Sequence, residues 1–160
     1  MASSVLNTIR DWLTSEKTEF REVHHEPTFT SEESARARGE ELRVGGKALL
    51  MRTGDEFALF VLPADRKVDS GAIRRELQLG KLRFASREEL AEQTGLVPGC
   101  VPPFGRPILP FALYVDKAIR ENDRIAFNAG SLTDSMILAM DDYLRLAKPE
   151  KIFPFSTPPA

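Results

Sequence analysis

A chain of 160 residues, 42% apolar and 29% charged, has the size and balance of one soluble globular domain, long enough to bury a substantial core. Its 22 basic and 24 acidic residues leave a net charge of −2, which argues against a nucleic-acid-coating surface and confines any RNA contact to a small, local area. The one cysteine, Cys100, excludes an internal disulfide and suits a reducing cytosol.

Val5, Leu6, Ile9, Trp12 and Leu13 recur on one side of a helix behind Ser4, its expected cap. This segment lacks the long apolar core of a signal peptide, and no apolar stretch reaches bilayer length, so the sequence reads as cytoplasmic. Residues 18–24 alternate as a strand, with Phe20 and Val23 toward the core. Thr30-Ser31-Glu32-Glu33 is a capping box, in which Thr30 and Glu33 satisfy each other's free amides, and it opens a helix ending near Gly39. Residues 47–52 and 57–62 are apolar runs split by Thr53-Gly54-Asp55, a hairpin of buried strands. Pro63-Ala64-Asp65 ends the hairpin. Residues 69–79 read as a helix on Ile73 and Leu77, and 81–84 as a short strand.

A second capping box, Ser86-Arg87-Glu88-Glu89, starts a helix that Gly95 stops. Residues 97–110 are loaded with proline and glycine. Strands are expected at 111–115 and 125–128; 135–140 reads as a strand whose composition also suits a helix, and 141–146 as a short helix. The proline-rich tail, residues 149–160, carries no expected regular structure. Strands and helices interleave irregularly, which favours a single α+β domain over residues 1–160: a mixed sheet with helices packed outside.

Familiar chemistries are mostly missing. His24 and His25 are adjacent, so on a strand they point to opposite faces. One cysteine and no HExxH argue against a zinc site, and no GxSxG elbow supports a Ser-His-Asp triad. No phosphate-binding glycine loop of the Walker or Rossmann kind is present. An enzyme of this sequence works without a metal, a nucleotide cofactor or an obvious nucleophile.

Three features remain. Lys47 follows Gly45-Gly46 and opens an apolar strand, where an ammonium can reach a phosphate, although a solvated strand-end lysine has the same signature. The loop Pro98-Gly99-Cys100-Val101-Pro102-Pro103-Phe104-Gly105 can hold backbone amides in a convergent array that stabilises an oxyanion; most such loops are simply rigid surface. Asn128-Ala129-Gly130-Ser131-Leu132-Thr133-Asp134-Ser135 is a polar turn after a strand, able to orient a sugar or a water, and equally an ordinary turn.

Taken in order, these features resemble the YbaK/EbsC family, homologous to the editing domain of bacterial prolyl-tRNA synthetases. The resemblance rests on His25-Glu26-Pro27-Thr28-Phe29-Thr30-Ser31-Glu32-Glu33, GGKALLMR at 45–52, FVLPADRKVD at 60–69, LRFASREELAEQTGLVPGCVPPFG at 82–105 and FNAGSLTDS at 127–135. It implies a curved mixed sheet, partly closed into a barrel and surrounded by helices. It also implies removal, in trans, of small wrong amino acids from the 3′ end of transfer RNA, with proline tRNA as the expected carrier.

By the same resemblance Lys47 positions the terminal adenosine and its phosphate, the loop from Gly99 to Gly105 lies beside the substrate, and Gly130 to Asp134 forms another wall. Lys47, Gly99, Gly105, Gly130 and Asp134 are then the expected catalytic set. Thr28, Phe29, Val101, Pro103, Phe104, Ser131 and Thr133 join Lys47 as expected substrate contacts. Asp134 stands where better-known members have a histidine, spaced as GxxxH, which bears on which amino acid is accepted.

The neighbouring ribose hydroxyl activates such an ester and can assist the attacking water, consistent with the missing nucleophile. No cofactor, membrane or DNA enters this reading. Two rivals fit the same residues: a module that binds a nucleotide or aminoacyl group without cleaving it, and an interaction protein docking on a synthetase through the tail.

Overall fold

Residues apolar on both faces build the centre of the molecule. The computed structural model describes residues 3–159, with the side chains of Ser3 and Ser4 outside that description. Strands β2 (Gly46–Thr53) and β3 (Glu56–Pro63) form the expected hairpin, paired from Gly46↔Pro63 to Thr53↔Glu56. Along β3 the side chains alternate between two cores, as a strand covered on both faces must. Leu59 and Val61 enter the larger core; Ala58, Phe60 and Leu62 enter a smaller one with Ile73.

Around this hairpin grows a five-stranded mixed sheet. β5 (Arg83–Phe84) lies antiparallel on β2, β6 (Ala112–Asp116) parallel on β3, and β9 (Lys151–Phe153) parallel on β6. A second, antiparallel sheet holds β1 (Arg21–His24), β8 (Asp134–Ala139) and β7 (Arg124–Asn128) in that order. The larger core unites both sheets, with Ile125, Phe127, Met136 and Leu138 joining Leu50, Leu59 and Val115.

Helices cover this framework. α1 (Ser3–Ser15) contributes Leu6, Ile9 and Leu13 to the larger core; α5 (Met140–Ala147) contributes Tyr143 and Leu146. α3 (Ser70–Leu77), capped by Asp69, seals the smaller core through Ile73. α2 (Ser31–Arg38) and α4 (Arg87–Thr94) carry the two predicted caps, and both end on left-handed glycines, Gly39 and Gly95. The cap expected at Ser4 falls on a side chain outside the described ones.

Three expectations change, and the strand reading of residues 135–140 holds over its helical alternative. The sheets do not close into a barrel: among the described residues they are bridged at Gly45 and Ala126, and otherwise remain separate ladders. The tail is ordered as β9 and β10 (Ser156–Thr157), the latter pairing with β4 (Lys67–Val68). Its prolines fall outside the strands, while Phe153 and Phe155 are buried and the buried Asp116 carboxylate accepts from Phe155 N and Ser156 Oγ. Residues 135–140 settle as strand, with Met140 beginning α5. The first capping box is half formed: Thr30 accepts from Glu33 N, but Glu33 accepts from Phe29 N at 2.8 Å instead of from Thr30.

Candidate functional site

Where β2 leaves Gly45-Gly46, a cleft of about 220 Å³ opens beside Lys47. Gly46 is required there by close approach: a Cβ would lie 2.4 Å from Ile125 Cδ1. Lys47 lies in the cleft wall, half buried, and its Nζ donates to Arg66 O at 2.9 Å. Burial pulls its pKa below the usual lysine range, against the opposing fields of Glu32 and Asp65.

The opposite wall comes from the loop after α4. Gly99, at φ 92°, and Val101 line the cleft, and their amides donate to no protein acceptor among the described residues. A further pair of groups faces the same edge. Ala85 N donates to Leu50 O on the β5 side of β2, so alternation turns the amide and carbonyl of Ala48 to that edge, beyond the end of β5.

Thr28 and Phe29 form the rim. Thr28 N bonds Leu132 O, and Thr28 Oγ1 shares a hydrogen bond with Ser34 Oγ at 2.8 Å. Phe29 is 73% exposed, an unusual state for a phenylalanine, and stands at the mouth.

Sequence reasoning missed the floor. Arg38, at the end of α2, is only 8% exposed. Its Nε donates to Ser135 Oγ at 2.9 Å and its Nη2 to Asn128 Oδ1 at 3.0 Å. Among the described residues no carboxylate touches it. Glu40 acts on it at a distance and is itself paired with Arg21 and Arg124. Burial lowers the Arg38 pKa to about 10, still cationic at neutral pH. Nη1 has no protein acceptor among the described residues, yet the structure leaves no buried polar side-chain atom unpartnered there, so Nη1 opens to the cleft that Arg38 lines. Arg38 shares the last turn of α2 with Arg36, and nothing in that short run of small and charged residues sets one arginine apart for this role.

The two glycine turns are joined. Asn128 Nδ2 donates to Gly99 O at 2.7 Å, and Gly130 N to Cys100 O at 3.0 Å. Gly130 itself packs on Val5 of α1 and lies outside the cleft lining. Asp134 is also outside: it accepts from Ser131 Oγ and Thr133 Oγ1 at 2.8 Å each and meets His24 Nδ1 at 2.9 Å, closing its own turn. Phe104 is fully buried against Trp12, Phe127 and Tyr143. Pro103 O accepts from Tyr143 Oη, and a Cβ on Gly105 would strike Phe111 O at 2.5 Å. The structure thus gathers Lys47, Gly99, Val101, Thr28 and Phe29 in one cleft and places Pro103, Phe104, Gly105, Gly130, Ser131, Thr133 and Asp134 around its supports.

Nucleophiles are poorly placed. The buried Cys100 thiol has its pKa raised by burial, which disfavours the thiolate. Ser135 Oγ meets His25 Nε2 at 2.9 Å, but Ser135 is fully buried and holds Arg38 as well. The two histidines part company as their adjacency requires, His24 to Asp134 and His25 to Ser135. Among the described residues no cluster of histidine, cysteine and carboxylates could hold a metal, and no helix is long and apolar enough to cross a membrane.

Residues 25–146 match the model of the aminoacyl-tRNA editing domain. The multifunctional Ser/Thr-tRNA deacylase ProXp-y of Escherichia coli K12 is 37% identical over 146 residues, 88% of this chain and 86% of that one. A proline–tRNA ligase of Bacillus licheniformis is 36% identical over 107 residues, 66% of this chain but 19% of the ligase. The fold matches the crystal structure of a candidate trans-editing enzyme for prolyl tRNA synthetase, with a TM-score of 0.83 at 23% identity, covering 97% of this chain and 98% of that one. The chain belongs to the aminoacyl-tRNA editing domain family.

Proposed function

We propose that this protein is a trans-editing hydrolase that releases a small, wrongly attached amino acid from the 3′ end of transfer RNA, with proline tRNA as the carrier. Residues 1–160, tail included, act as one editing domain. The observation that carries the reading is the cleft itself, where the half-buried Lys47 and the buried Arg38 converge with the amides of Gly99 and Val101, which have no protein acceptor among the described residues.

A cleft of about 220 Å³ is small beside the roughly 300–1,000 Å³ of sites that enclose whole drug-sized ligands. It suits the end of a larger molecule. Lys47 holds the terminal phosphate as a compact charge. The loop amides, with Arg38 Nη1, face the ester carbonyl, whose oxygen gains negative charge as water attacks. Donors fixed in advance are most effective against charge that develops during the reaction, each contributing roughly 3–4 kcal/mol of barrier. The vicinal ribose hydroxyl of the substrate orients the water, so the protein supplies position and electrostatics and forms no covalent intermediate.

Alanine, serine, threonine and cysteine are the candidate amino acids, since one methylene changes discrimination by only about 1–3 kcal/mol. A panel of transfer RNAs mischarged with each, on proline tRNA and on a second tRNA, tests the reading. Catalysed release from at least one is expected; protection of every ester would instead make the protein a binding module.

A further inference from the structure

Two more hollows continue from the cleft along the β5 side of β2. The first is an apolar groove that shares Ala48, Leu49, Gly99 and Val101 with the cleft and extends to Phe84 and Leu90. Phe84 is 53% exposed on an edge strand, where a large apolar ring has no packing reason to be. The second hollow begins at the next residue, Arg83, and gathers Arg52, Arg74 and Lys81 beside Asp55. These four cations come from the end of β2, from α3, from the turn before β5 and from β5 itself. In the sequence they are scattered, and the net charge of −2 conceals them.

The local balance is positive. Glu89 engages Arg83 and Arg52, whereas Arg74 and Lys81 are exposed with no ion pair among the described residues. From Lys47 to Arg52 the strand rises about 17 Å at roughly 3.4 Å per residue. A stacked nucleic-acid strand also advances about 3.4 Å per nucleotide, so phosphates a few nucleotides behind the terminal one reach these cations. An exposed aromatic platform followed by a basic hollow is the arrangement that binds single strands through stacking and phosphate contact.

We propose that this strip is the path of the transfer RNA behind its terminal adenosine, with a base stacked on Phe84 and the backbone phosphates on Arg74, Lys81 and Arg83. The inference rests on the editing reading, of which it names the second contact surface. It explains how a protein of net negative charge holds RNA: four cations at one end of β2 form the local positive field that the whole molecule lacks.

The test compares wild type with Arg74→Glu/Lys81→Glu and with Phe84→Ala, all changes at exposed positions, on two substrates: a full mischarged transfer RNA and an aminoacylated adenosine. On the full RNA, KM rises about tenfold in either variant with kcat unchanged, and the charge variant's log–log salt dependence of affinity shallows by about 0.7 for each phosphate no longer neutralised. On the aminoacyl adenosine neither variant changes. Unaltered KM on the full RNA, or equal losses on both substrates, overturns the proposal. Affinity for uncharged transfer RNA, read by fluorescence anisotropy, makes the same comparison without turnover. A wild type that binds RNA along this strip but cleaves no ester would therefore sink the editing reading and leave the path standing.

Discussion

Arg38 Nη2 lies 3.0 Å from Asn128 Oδ1, and the other end of that amide donates to Gly99 O at 2.7 Å. A buried cation on α2 is thereby linked, through one side chain of β7, to the loop that presents free amides to the cleft. The link explains why residues from three distant parts of the chain form one site.

Replacing Arg38 should therefore affect turnover more than binding. Arg38→Lys keeps a cation but cannot serve Ser135, Asn128 and the cleft together in the planar fork that guanidinium provides. We expect kcat to fall about 10- to 100-fold with KM little changed. Arg38→Ala should cost still more, with partial rescue by added guanidinium at concentrations that leave the fold intact. Steady-state kinetics beside thermal melting separates this from simple destabilisation.

Lys47 should impart a pH dependence to ligand affinity. Its depressed pKa means the ammonium is lost earlier than in an ordinary lysine as pH rises. The affinity for a non-hydrolysable aminoacyl adenosine phosphate should be full at neutral pH and fall on the alkaline side, with a midpoint below the 10.5 of a free lysine side chain. Calorimetric titration across that range reads it, and Lys47→Met should remove the dependence.

Asp134 predicts a stability effect. Burial alone would raise its pKa, but hydrogen bonds from His24, Ser131 and Thr133 outweigh that and leave it below the ordinary value of 3.8. A carboxylate with a depressed folded pKa stabilises at pH above the unfolded value and loses that contribution as pH falls through the folded one. Asp134→Ala should thus lose about 1–3 kcal/mol at neutral pH. The deficit should narrow in acid, measured by denaturant unfolding at a series of pH values.

Phe104 should behave as core. It is fully buried against three aromatic rings, and truncation of such a side chain typically costs about 3–5 kcal/mol. Phe104→Leu, which retains more volume, should melt lower than wild type yet keep its ligand affinity per folded molecule.

The parts of this architecture that were legible beforehand are those with local causes. The hairpin announced itself through two apolar runs around a glycine turn, and α4 through a complete Ser86–Glu89 box that the structure reproduces on both sides. The tail misled because prolines at 154, 158 and 159 suggested irregularity, whereas Phe153 and Phe155 between them drive burial and the strands form around the prolines. The cleft was half legible. Lys47, Gly99, Val101, Thr28 and Phe29 sit in motifs, but the role of Arg38 depends on Ser135, 97 residues away, and no local pattern encodes that distance. The placement of Asp134 follows from strand alternation: Ser135 turns toward Arg38, so its neighbour turns to the other face.

The most direct test of the account is the rate of amino acid release from a mischarged transfer RNA by wild type and Lys47→Ala, side by side. A charge-assisted hydrogen bond is worth about 1.5–3 kcal/mol, so the variant should fall roughly 10- to 100-fold in kcat/KM while melting close to wild type. Equal rates for the two proteins, or a wild type no faster than the uncatalysed ester, would contradict it.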